Sequence, residues 1–139
     1  MFGMGKTSAI RYIWQVLKVL ESSIAPLFIK LPQSDSEWNT LQWIWKICGF
    51  PRACLAIDGF YEIDRPRDYE GWYCCKLCLT LNLQRVVDFK EAIRSYDFRA
   101  GLANDKAVFN YSEFGKNIHS IVPKRLVVVA DAGYMLTDK

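Results

Sequence analysis

Histidine is almost absent: His119 is the only one in 139 residues. Cysteine is present but badly arranged for a metal. Cys75-Lys76-Leu77-Cys78 spells C-x-x-C, yet no second such pair exists. The surrounding segment, residues 72–87, reads as a strand, where positions three apart face opposite ways. Those two thiols therefore cannot share an ion, which argues against a zinc or thioredoxin-like centre. An odd total of five cysteines, mostly in apolar surroundings, argues against a disulfide framework and for reduced, mostly buried thiols. Long apolar runs are missing too: none approaches the ~18 residues of a membrane helix, and no secretory signal is visible. The expectation is a soluble intracellular chain with no membrane partner. Charge of one sign is scarce, with 18 basic against 15 acidic residues, so net charge alone does not identify a nucleic-acid binder. There is no internal repeat and no long linker.

What remains is a core-forming composition. The chain is 51% hydrophobic and 14% aromatic, which excludes a disordered tail or low-complexity linker. Ile10, Ile13, Leu17, Leu20 and Ile24 recur at helical spacing over residues 6–23, and Pro26 ends the pattern. Thr7 or Ser8 can cap this helix, which also accounts for Gly5-Lys6-Thr7-Ser8 without a nucleotide. A phosphate-binding loop needs an earlier glycine and a preceding strand. A second helix starts at the capping box Ser34-Asp35-Ser36-Glu37 and stops at Gly49. Its apolar face is Trp38, Leu41, Ile44, Trp45 and Cys48.

From Ala53 the periodicity changes to that of strands. Residues 54–57, 60–63, 72–87 and 93–99 read as strands. Asn104 or Asp105 can cap a short helix, residues 116–124 read as polar loop, and 126–130 as a strand of the fully buried type. The outline is two helices followed by a mixed sheet with a helix inserted late. Residues 1–50 form a helical segment and 51–139 the sheet domain. Asp58 and Asp131 each end an apolar strand. Asp58-Gly59 can be a hairpin turn and Asp131-Ala132-Gly133 an ordinary strand exit. If the two strands are neighbours, the carboxylates meet. A cation between them then relieves their repulsion, which predicts Mg²⁺ or Mn²⁺.

Five collinear blocks carry a family resemblance. Phe2-Gly3-Met4-Gly5-Lys6-Thr7-Ser8-Ala9 resembles the opening of a helix-turn-helix recognition helix. Gly49-Phe50-Pro51 with Ala56-Ile57-Asp58-Gly59, and Leu81-Asn82-Leu83-Gln84-Arg85-Val86-Val87-Asp88, are two more. The stretch from Gly101 to Ser112 with Asn104-Asp105 and Val108-Phe109, and finally Ala130-Asp131-Ala132-Gly133-Tyr134, complete the set. Together they resemble the DDE transposases of the PIF/Harbinger superfamily.

The resemblance implies an α/β, RNase H-like mixed sheet, preceded by two helices of which the first is a helix-turn-helix remnant. It implies metal-dependent cleavage of DNA phosphodiesters, with Asp58 and Asp131 as catalytic carboxylates and ligands of Mg²⁺ or Mn²⁺. Asp105 matches an acidic position of the intermediate block and is either an accessory residue or a helix cap. Lys6, Arg11 and Lys76 are candidate DNA contacts. DNA and an accessory DNA-binding protein are the implied partners, and the nucleus the implied location.

The chain departs from the pattern at Phe60-Tyr61, at Cys74-Cys75-Lys76-Leu77 and at Gly101-Leu102-Ala103-Asn104-Asp105. The family's third acid lies on a helix well beyond this block, whereas the only acidic residue after Asp131 is Asp138, which is too close, and the recognition helix lacks its bracing partner. The expectation is a chain cut at both ends, incomplete at its C-terminus and weak or inactive alone. A non-catalytic DNA- or protein-binding module is the alternative. Self-association through an incomplete sheet is a further expectation.

Overall fold

A computed structural model describes residues 5–62, 81–100 and 103–134. The contacts divide the chain into two units, Met1–Lys30 and Leu31–Lys139. Residues 72–80 of the expected long strand, with Cys75, Lys76 and Cys78, lie outside the described residues.

The first unit is helical. Helix α1 (Lys6–Val19) runs into a π-helical turn (Leu20–Ile24) and then α2 (Ala25–Phe28). Helical structure thus continues past Pro26, two residues beyond the expected stop. Pro26 sits in the first turn of α2, where its missing N–H costs little. The N-cap is Gly5, without a side-chain bond, so Thr7 and Ser8 are inside the helix and do not cap it. No α1 side chain is buried: Ile13 and Trp14 are exposed, as are Lys6 and Arg11.

In the second unit, α3 (Asp35–Ile47) begins at the expected capping box. The Glu37 N–H donates to Ser34 Oγ at 3.3 Å, and Glu37 Oε2 accepts from the Ser34 N–H at 3.3 Å. Gly49, at φ +92°, ends it in the left-handed region that glycine tolerates best. Trp38 and Leu41 are buried in the core against the sheet, whereas Cys48 is exposed.

Four strands form one mixed sheet: β1 (Ala53–Glu62), β2 (Leu81–Val87), β3 (Ile93–Ala100) and β4 (Val127–Ala130), in the order β3-β2-β1-β4. The β1–β2 and β2–β3 pairs are antiparallel, while β4 lies parallel to β1. Such a parallel pair needs a crossover, supplied by α4 (Asp105–Tyr111) and α5 (Glu113–Ile121). The architecture is α/β with a mixed sheet preceded by helices, consistent with the RNase H-like expectation.

Three expectations change. Asp58-Gly59 is not a turn: β1 runs unbroken through it, with Asp58 opposite Arg85 and Gly59 opposite Gln84. Residues 116–124 are not all loop, because α5 is capped by Ser112 and buries Phe114. The apolar run ending at Ala130 is not fully buried, because β4 is the last strand in the described sheet and Val127 is 41% exposed.

Register fixes the faces. Leu55, Ile57 and Gly59 share one face with Val86 and Gln84. Leu55, Ile57 and Val86 meet Trp38, Leu41, Phe114, Val122, Leu126 and Tyr134 in one core. The α4–α5 junction depends on Gly115. A methyl there would collide with the Phe109 carbonyl oxygen and lie 2.7 Å from its carbon. Helix propensity alone favours alanine by about 1 kcal/mol. We expect the opposite sign: Gly115→Ala should destabilise by about 1–3 kcal/mol, as overpacking does. Urea denaturation checks this, and a stabilised variant would contradict the packing.

Candidate active site

The site is built where β4 ends. Ile57 pairs with Ala130 across the parallel β1–β4 ladder, so the next residue on each strand is an aspartate. Asp58 and Asp131 are both exposed, and Asp58 is on the face opposite Gly59. Each is steadied by a following glycine: the Gly59 N–H donates to Asp58 Oδ1 at 2.8 Å, and the Gly133 N–H to Asp131 Oδ1 at 2.9 Å. The two strands expected to be neighbours do pair, although only Asp131 stands at a strand end.

Asp105 approaches the same strand ends from α4, on the covered face of the sheet. The cap of that helix is Asn104, whose Oδ1 accepts from the Ala107 N–H at 2.8 Å. Asp105 is thereby released from capping. Its carboxylate reaches over both glycines: a methyl on Gly59 would collide with Asp105 Oδ1, and one on Gly133 would lie 3.4 Å from Asp105 Oδ2 and 3.0 Å from Asp131 Oδ1. Among the described residues, however, no three Asp, Glu, His or Cys side chains are placed to hold a metal ion together.

A buried polar layer lies behind the acids, and sequence reasoning did not assign it a role. Asn82 and Gln84 project from β2 into the covered face, at 0% and 2% exposure. Gln84 Nε2 donates to the Tyr134 hydroxyl at 3.0 Å and to the Asp105 carbonyl at 3.2 Å. The Tyr134 ring packs edge-on against Phe109, with centroids 6.0 Å apart. The sequence pattern points the other way: in Leu81-Asn82-Leu83-Gln84 the alternation reads the polar positions as solvent-facing, whereas the structure buries Asn82 and Gln84.

Burial pushes the Tyr134 phenol well above its ordinary range. The Gln84 bond opposes this, and the charges of Asp105, Asp58 and Asp131 add to the rise. The folded state therefore holds a proton that the unfolded state releases near pH 10, so stability falls as pH rises above about 10. Tyr134→Phe should flatten that alkaline decline, as followed by melting temperature against pH. An unchanged slope would contradict the coupling.

Neither cysteine on the described residues serves this site. Burial pushes the Cys54 thiol up to about 12, partly opposed by the Leu55 backbone, and its Sγ lies 3.4 Å from the Val127 carbonyl. A cavity of about 890 Å³ extends from Asp131 and Tyr134 past His119 and Lys124. On the open face of the sheet, the Arg85 guanidinium sits 4.8 Å above the Phe60 ring, directly across from Asp58. Lys6 and Arg11 belong to the other unit, and Lys76 is outside the described residues.

A family model described as DDE superfamily endonuclease matches residues 57–139, which include all three aspartates. The chain belongs to this family. No curated protein and no solved structure matches it. Membership gives the paired carboxylates of this endonuclease domain a chemical context: such enzymes depend on divalent metal and act on DNA. Asp58 and Asp131 offer the hard oxygen ligands such an ion takes, each just beyond the Ile57–Ala130 pair, while no three described acids surround one point. No helix of the described residues is long and apolar enough to cross a membrane.

Proposed function

We propose that the chain is a PIF/Harbinger-type transposase domain that acts on DNA phosphodiesters, with Asp58 and Asp131 as its metal-holding catalytic carboxylates. The observation that supports this reading is the Ile57–Ala130 pairing, after which each chain segment continues into an aspartate, Asp58 within β1 and Asp131 just past β4. Mg²⁺ or Mn²⁺ bound there supplies Lewis-acid activation of the phosphate and of the attacking hydroxyl. The chain's own residues hold and orient: the Gly59 and Gly133 N–H groups each fix one oxygen of the neighbouring carboxylate. Arg85, beside Asp58, offers a cation to a neighbouring phosphate. Lys6 and Arg11 on α1 and Lys76 are further DNA contacts of this reading. A nuclear location and an accessory DNA-binding protein follow from the same resemblance.

The 139-residue chain by itself should cleave weakly or not at all, because no three described acids are placed to grip an ion. Plasmid nicking with Mn²⁺ tests the assignment. Any wild-type nicking must vanish in both Asp58→Asn and Asp131→Asn. Nicking that both variants retain contradicts it.

One observation favours a non-catalytic DNA-binding role. Arg85, Tyr96 and Phe98 form an exposed basic and aromatic strip on the open sheet face, next to Phe60. Such surfaces stack bases and track phosphates. Binding of single-stranded DNA that weakens steeply with salt supports that role, and no binding at low salt excludes it.

A further inference from the structure

The pairing register sets two rows of side chains on the open face of the sheet. Tyr96 on β3 stands opposite Arg85 on β2, and Arg85 opposite Asp58 on β1. The next row is Phe98, Leu83 and Phe60. Positions two apart on a strand point the same way, so all six share one face. Arg85 is exposed, as are Tyr96 at 46% and Phe98 at 54%.

Arg85 faces Asp58 across the ladder, yet among the described residues the two form no ion pair. Asp58 Oδ1 accepts the Gly59 N–H instead, and the guanidinium lies over the Phe60 ring, 4.8 Å from its centroid. A ring that holds the cation by its face leaves the N–H groups at its edge available to a phosphate oxygen. The two exposed rings add a second requirement. Aromatic side chains stack on bases whose faces are free. In a duplex each base is covered by its neighbours, about 3.4 Å away along the strand. Tyr96 and Phe98 stand about 7 Å apart along β3, twice the rise per residue. An extended single strand matches that spacing and a stacked duplex does not.

We propose that the site at Asp58 takes DNA with unpaired bases beside the scissile phosphate. Tyr96 and Phe98 stack the bases, and Arg85 holds the phosphate next to Asp58. This rests on the reading of Asp58 as a catalytic carboxylate, and it makes the basic and aromatic strip part of one substrate surface. Two strand spacings, about 10 Å, separate Tyr96 from Asp58, within reach of adjacent nucleotides.

Fluorescence anisotropy of a labelled oligothymidylate, in EDTA at low salt, tests this against a duplex of equal length. The full chain should bind the single strand at least tenfold tighter. Tyr96→Ala and Phe98→Ala should each weaken single-strand binding about tenfold and leave duplex binding unchanged, while Tyr96→Trp should keep it. Both positions are exposed, so melting temperatures should stay near the wild type. Arg85→Gln should lower the salt slope by about 0.7, the share of one phosphate on a single strand. Asp58→Asn should tighten binding several-fold, because a repelling charge beside the bound phosphate is gone. Equal affinities for single strand and duplex, or ring variants that bind as the wild type does, overturn this inference and leave the Asp58–Asp131 reading standing. Ring-dependent binding that ignores Asp58→Asn separates the strip from the site and overturns it as well. A wild-type dimer that Tyr96→Ala dissociates assigns the face to a second copy and overturns it too. Plasmid nicking retained by both Asp58→Asn and Asp131→Asn overturns the reading beneath it, even where ring-dependent binding persists.

Discussion

Asp58→Asn and Asp131→Asn are each expected to abolish the thermal stabilisation that Mn²⁺ gives the wild-type chain. A ligand that binds only the folded state at a hundredfold excess over its Kd adds about 2.7 kcal/mol. For a domain of this size that raises the melting temperature by several degrees. Asp58 on β1 and Asp131 just past the end of β4 each follow the Ile57–Ala130 pair, so removing either takes away one of the two carboxylates of the proposed site. Both side chains are exposed, and their loss should cost little without metal. In EDTA the variants should therefore melt at or slightly above the wild type. A metal-induced shift that survives in both variants would place the cation elsewhere.

The largest stability effect is expected at Leu55. It is fully buried on β1, with β2 on one side and β4 on the other, and packs in the core with Ile57, Val86 and Phe114. Leu55→Ala removes the buried methyl groups and leaves a cavity that paired strands cannot close, costing about 2–5 kcal/mol. Against a total of about 5–15 kcal/mol this is a large fraction. Urea denaturation should show a lower midpoint with an unchanged slope. Val127→Ala, at a 41% exposed position on β4, should cost far less. Equal losses at the two positions would contradict the described core.

Much of this arrangement is legible in the chain. The Ser34–Glu37 capping box is local chemistry, and it forms as read. The apolar stretches ending near Asp58 and Asp131 read as strands, and the structure pairs them, although the edge strand β4 is not buried on both faces as its run suggested. What failed depended on distant contacts. Asp58-Gly59 favours a turn locally, yet pairing with Arg85 and Gln84 holds it extended. In α5, Gly115 and the polar residues after it mask the spacing of Phe114, Ile118, Ile121 and Val122. The glycine there answers to the Phe109 carbonyl, which only the fold brings near. Pro26 reads as a stop, but the π-helical turn before it lets helical structure resume. Asp105 could be read either as a cap or as a site residue. Asn104 takes the cap, and the approach of α4 to Gly59 and Gly133 places the Asp105 carboxylate over those two glycines.

The central claim is that Asp58 and Asp131 jointly hold a divalent cation at the end of the β1–β4 pair. Anomalous diffraction from crystals grown with Mn²⁺ tests it most directly. The account predicts a Mn²⁺ peak within ligand distance, about 2.0–2.6 Å, of both carboxylates. A Mn²⁺ peak ligated by other residues, with Asp58 and Asp131 unliganded, would contradict it.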